Sequence, residues 1–156
     1  MTIRPVNYRY QDREGTFIED IGPVYAEIEL LNSTDIALNR RGFCSDEDIR
    51  RIKLSALVNS SATDLVISNE IKELLDLRVL EKQTVRLPDE TLREVEIVGP
   101  IEVRFENHSA PATAMVLPEV EEVLLGRFPF AGLHVFIDKQ SKQLLVIPYT
   151  PIKRVA

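Results

Sequence analysis

Leu54-Ser55-Ala56-Leu57-Val58-Asn59-Ser60-Ser61-Ala62-Thr63-Asp64-Leu65-Val66-Ile67 is the stretch whose reading decides the fold. Ile52, Leu54, Ala56 and Val58 recur at every second position, the period of a strand with one buried face. Asn59, Ser60 and Ser61 are small and polar and interrupt that run. Leu65-Val66-Ile67 is a second apolar run beyond them. The expectation is strand, sharp turn, strand.

Downstream, Ser68 is a suitable N-cap, Glu70 suits the positive end of a helix, and Ile71, Leu74 and Leu75 have helical spacing. A helix of about two turns is expected there. Val79 to Leu87, Leu92 to Val98, Ile101 to Phe105 and Ala110 to Leu117 read as successive strands. Pro88-Asp89-Glu90-Thr91, Gly99-Pro100 and Glu106-Asn107-His108-Ser109 punctuate them. Val123-Leu124-Leu125-Gly126 follows, then two more strands, Leu133 to Asp138 and Gln143 to Ile147, around a Lys139-Gln140-Ser141-Lys142 loop. Upstream, Val24 to Leu31 alternates apolar residues with Glu27 and Glu29. Residues 35–51 mix Arg40, Arg41, Arg50 and Arg51 with Asp46, Glu47 and Asp48, and read as a self-compensating insertion loop with a helical turn from Ser45. Residues 1–23 read as an N-terminal arm, and 149–156 as a C-terminal tail.

These 156 residues suit one domain, and the mean spacing of strands argues for a mostly antiparallel all-β fold. The net charge of −6 disfavours a nucleic-acid binder. The single cysteine, Cys44, leaves no internal disulfide framework. No apolar run approaches the length of a membrane span. Met1-Thr2-Ile3-Arg4-Pro5 leads into no signal-type apolar segment, so a cytoplasmic location without membrane association is expected. His108 and His134 stand in no ligand-like cluster, and no metal or cofactor is expected. Nothing in the sequence sets either histidine beside Ser60 or Ser61 as the base of a nucleophilic site.

Val58-Asn59-Ser60-Ser61-Ala62 resembles the active-site turn of the retropepsin-like aspartic peptidases, apolar-apolar-Asp-Thr/Ser-Gly-Ala, with Asn59 at the Asp position and Ser61 at the Gly position. Ala62 to Ile67 is similar to that family's continuation. Val85 to Glu94, with Pro88, Asp89, Glu90 and Thr91 at its tip, resembles the flap hairpin. Leu124-Leu125-Gly126 is similar to the apolar-apolar-Gly motif beneath the turn. The resemblance spans about residues 24–148. It implies an all-β acid-protease barrel with one short α-helix. It also implies a homodimer on a two-fold axis, with Gln143 to Ile147 a candidate interface strand.

The resemblance implies a site as well: Asn59, Ser60 and Ser61 at the catalytic positions, and Ala62, Pro88 to Thr91, Leu125 and Gly126 lining the binding groove. In the family, two carboxylates share one proton, one acting as base on a water and the other as acid. An amide does neither. The implied function is a catalytically inactive, dimeric module that binds an extended peptide or protein segment. The alternative is an aspartic endopeptidase working through Asp at position 59, reached by deamidation or by reversal of a substitution. A purely structural protein would bind no peptide.

Overall fold

A computed structural model describes residues 10–11, 17–18, 23–59, 64–87, 89–126, 129, 132–133, 135–138, 141 and 143–146. Its strands are β1 (Tyr10–Gln11), β2 (Phe17–Ile18), β3 (Val24–Asn32), β4 (Arg51–Val58), β5 (Leu65–Ile67), β6 (Arg78–Arg86), β7 (Leu92–Phe105), β8 (His108–Val116), β9 (Val123–Leu125), β10 (Val135–Asp138) and β11 (Gln143–Val146). Helix α1 (Ser33–Arg40) follows β3, and α2 (Asn69–Leu74) follows β5.

Alternation along β3 sets inside and outside. Val24, Ala26, Ile28 and Leu30 are buried, whereas Tyr25 and Glu27 between them are exposed. Strand neighbours run β3-β4-β9-β5-β8-β7, and β7 pairs back onto β3. The ring closes into a six-stranded β-barrel. Ala56 and Val58, Leu65 and Ile67, Val123 and Leu125, Val103 and Phe105, and Ala110 and Ala114 fill it from the other strands. Pairing is antiparallel except for β4 with β9 and β5 with β8. Strand β6 lies outside the ring and pairs only with the first half of β7, forming a two-stranded ribbon.

The two strands expected on either side of Gly99-Pro100 are one strand, β7. Pro100 lacks a backbone N–H and is tolerated in a strand only at an edge or a bulge. Here it sits in a bulge: Val98 faces Ala114 and Ile101 faces Ala112, so β7 holds one extra residue there. The bulge is also where β7 changes partner, from β6 up to Gly99 to β3 from Ile101. It reverses the phase of burial. Val98, Ile101 and Val103 point into the barrel, while Val95 and Ile97 point out of it.

The segment read as an insertion loop opens with a helix instead. Asn32 caps α1, its Oδ1 accepting the Asp35 N–H at 3.1 Å, and its Nδ2 donates to the Leu75 carbonyl at 2.9 Å. The buried Asp35 carboxylate accepts from the Arg50 backbone N–H at 3.0 Å and from its guanidinium at 3.3 Å. Each buried polar atom thus has a partner, and the insertion is tied to the end of α2. The helical turn expected from Ser45 is present over Asp46–Asp48, and at α2 Ser68 Oγ accepts the Ile71 N–H as expected. At the N-terminus, Tyr10 pairs with Ile18, so the arm holds a short antiparallel ladder. The C-terminal tail, 149–156, lies outside the described residues.

Strand β9 is threaded between β4 and β5, parallel to the first and antiparallel to the second. The turn between β4 and β5 must therefore span two inter-strand spacings, about 10 Å, rather than one. Its departing shoulder is held by the Asn59 N–H, which donates to the Leu125 carbonyl at 3.0 Å. Its returning shoulder presses on Gly126, where a Cβ would lie 2.1 Å from the Asp64 carbonyl oxygen. That neighbour is backbone and cannot swing away. Replacing Gly126 with alanine should cost about 3 kcal/mol or more, against about 1 kcal/mol for Gly42→Ala. Gly42 has a left-handed φ of 79° but open space around it. Urea unfolding of the two variants checks the ranking, and equal losses would refute the contact.

Candidate functional site

The Asn59 turn is the candidate site, and the local chain makes it in a definite way. Val58 ends β4 buried in the barrel, and Asn59 follows with 6% of its surface exposed. The structure brings Asn59, Leu125, Gly126 and Asp64 together. Ser60, Ser61, Ala62 and Pro88, also expected at the site, lie outside the described residues.

Directly beside the turn, the outer faces of β4, β9 and β5 carry Leu57, Leu124 and Val66 in register. All three are buried, although they point away from the barrel interior. The ribbon covers them. Val95 and Ile97 from β7, with Val85 from β6, join them in a second apolar cluster with Met115, Leu117 and Val120. The β7 bulge is what turns Val95 and Ile97 to this side.

Ion pairs fasten the ribbon's base. Lys72 on α2 reaches Glu96 at 2.8 Å, and Arg93 pairs with Glu119 in the turn after β8. The Glu119 backbone N–H and then the Arg93 guanidinium hold that carboxyl below its ordinary range, against an opposing pull from partial burial. At the tip, the Leu87 N–H donates to the Thr91 carbonyl at 2.9 Å. The Asp89 carboxylate accepts from the Thr91 hydroxyl and backbone N–H, which lowers its pKa. Glu90 adopts φ 68°, a left-handed turn without a glycine. Asp89, Glu90 and Thr91 are exposed, and these bonds run within the tip rather than to the Asn59 turn.

His108 begins β8 at the far end of the β7–β8 hairpin, and His134 lies outside the described residues. Among the described residues, no group of three His, Cys, Asp or Glu side chains could hold a metal ion. Among the described residues, no helix is long and apolar enough to cross a membrane.

Sequence reading missed the outer cluster and the ion pairs. A signal for the cluster existed. Leu65-Val66-Ile67 and Val123-Leu124-Leu125 are unbroken apolar triplets, which mark strands buried on both faces. No comparable signal pairs Lys72 with Glu96, whose approach depends on how α2 packs.

The chain matches no family model and no curated protein sequence.

An amide tolerates this burial without charge, whereas a carboxylate would be penalised when ionised. Asn59→Asp should therefore fold with that carboxyl raised above its ordinary value of about 3.9. The variant should match the parent in stability at pH below about 4 and lose stability as pH rises past that value, by about 1.4 kcal/mol per unit of pKa rise. Thermal denaturation of both proteins between pH 3 and 8 measures this. A difference that stays flat with pH would show that position 59 is solvated.

Proposed function

We propose that this chain is a retropepsin-like protein without the catalytic carboxylate, which acts as a dimeric module binding an extended peptide or protein segment. The observation that carries the reading is the threading of β9 between β4 and β5, with Leu125 and Gly126 gripping both shoulders of the turn that bears Asn59. The ribbon lying over the adjacent Leu57, Leu124 and Val66 supports it, since it is built from the stretch that resembles a flap hairpin. One turn per chain calls for a two-fold dimer with a groove between the two turns. An extended segment in that groove would be held by backbone hydrogen bonds of the strand-addition kind.

Chemistry at position 59 follows from the functional group. The side-chain amide of Asn59 takes no proton from water at accessible pH and shares none with a second copy. The alternative, an active peptidase, needs Asp at position 59. Deamidation would require the nitrogen of Ser60 to attack the Asn59 side chain, a motion opposed where Asn59 is buried and its own N–H is fixed to Leu125.

Cleavage of an unfolded protein substrate at pH 3–6 tests the proposal. The parent chain should show no cleavage sensitive to pepstatin-type inhibitors. Asn59→Asp should gain at least about a hundredfold over that background, the scale of one acid–base group. Inhibitor-sensitive cleavage by the parent, accompanied by a one-dalton gain at residue 59 in peptide mass spectra, would establish the peptidase reading. A monomer by light scattering at all concentrations would remove the dimer.

A further inference from the structure

Strand β4 is fully paired on one edge and only partly on the other. All of Arg51 to Val58 finds partners on β3, at least from Leu31 to Val24, whereas β9 covers only Ala56 to Val58. Residues 51–55 have no strand partner on the β9 side among the described residues. The Asn59 N–H points to that side, towards Leu125. By strand alternation the backbone N–H and C=O of Ser55 and Lys53 point the same way.

The exposed edge opens into a concavity of about 210 Å³. Ile52, Leu54 and Ile71 form part of its floor with Val123. Glu121 and Glu122, both exposed, stand on its rim, and Tyr25 donates its hydroxyl to the Glu122 carboxylate at 3.0 Å. On β4, Lys53 stands opposite Glu29 in the β3–β4 register. An unpaired strand edge, an apolar floor and an acidic rim thus coincide, away from the Asn59 turn.

We propose that this edge is a second binding site, which takes an extended, basic peptide segment by strand addition alongside β4. The segment continues the line that β9 occupies at Ala56–Val58. Over residues 51–55 that edge is about 16 Å long, enough to pair four or five residues. Its backbone pairs with Ser55 and Lys53, one apolar side chain enters the concavity, and flanking Lys or Arg side chains meet Glu121 and Glu122. The charge on the rim selects the occupant: an acidic segment would be repelled by the same two carboxylates. The site stands independently of the chemistry at Asn59.

The test is titration of the isotopically labelled full chain, followed by amide NMR. The probe is an acetylated, amidated hexapeptide of alternating lysine and valine. Two controls accompany it: the same peptide with glutamate for lysine, and the lysine peptide N-methylated at every valine. Shifts should concentrate at Ser55, Ile71 and Val123. The lysine peptide should bind at least about tenfold more tightly than the glutamate peptide at low salt, and the N-methylated one should lose binding. The double variant Glu121→Gln/Glu122→Gln, which keeps an acceptor for Tyr25, should lower the lysine peptide's affinity about tenfold. The proposal is overturned by equal affinity for the two charge patterns, by indifference to N-methylation, or by no shift at Ser55 at millimolar peptide. It is equally overturned if the shifts centre on Leu57 and Leu124 beside Asn59, an outcome that would leave the dimeric-groove reading standing.

Discussion

Everything near the candidate site depends on one backbone-to-backbone contact, Gly126 against Asp64. A strand inserted between two others normally separates them into independent neighbours. Here the two flanking strands belong to one turn, so the inserted strand must end where the turn passes over it. Gly126 supplies that ending, because a residue without Cβ lets Asp64 cross at van der Waals distance. The Asn59 N–H then closes onto Leu125. Main-chain atoms thus meet at both shoulders, Asn59 at Leu125 and Asp64 at Gly126.

The same threading creates a second buried layer. Inserting β9 places three apolar residues, Leu57, Leu124 and Val66, side by side on the outer surface of the barrel. Left bare, that patch would be an association hazard. The β7 bulge resolves it by rotating Val95 and Ile97 to the outer side, where the ribbon covers the patch. Lys72–Glu96 and Arg93–Glu119, both half-buried, fix the ribbon laterally. The apolar contact is what holds the cover down.

Much of this was legible in the sequence because it is carried by period and punctuation. The alternation of β3 and β4, the Ser68 cap and the strand succession after Val79 all follow local rules. What could not be read is set by contacts distant in sequence. Gly99-Pro100 looks like a break, and only the partner exchange between β6 and β3 makes it a bulge within one strand. Residues 35–51 look polar and loop-like, and α1 forms there because Asn32, Asp35 and Arg50 satisfy one another and Leu75. Eight charged residues in that segment gave no indication of which would pair.

Burial at position 59 bears on why an amide is stable there. A carboxylate in a site this enclosed loses solvation, and two of them across a two-fold axis would repel each other as well. An enzyme of the aspartic-peptidase kind accepts both costs because the shared proton they enforce is its mechanism. A chain that only binds gains nothing from them. Asn59 keeps the backbone hydrogen bond to Leu125, fits the same volume, and remains neutral at every pH at which the fold survives. An amide at position 59 therefore spares the fold the desolvation cost that a carboxylate there would carry.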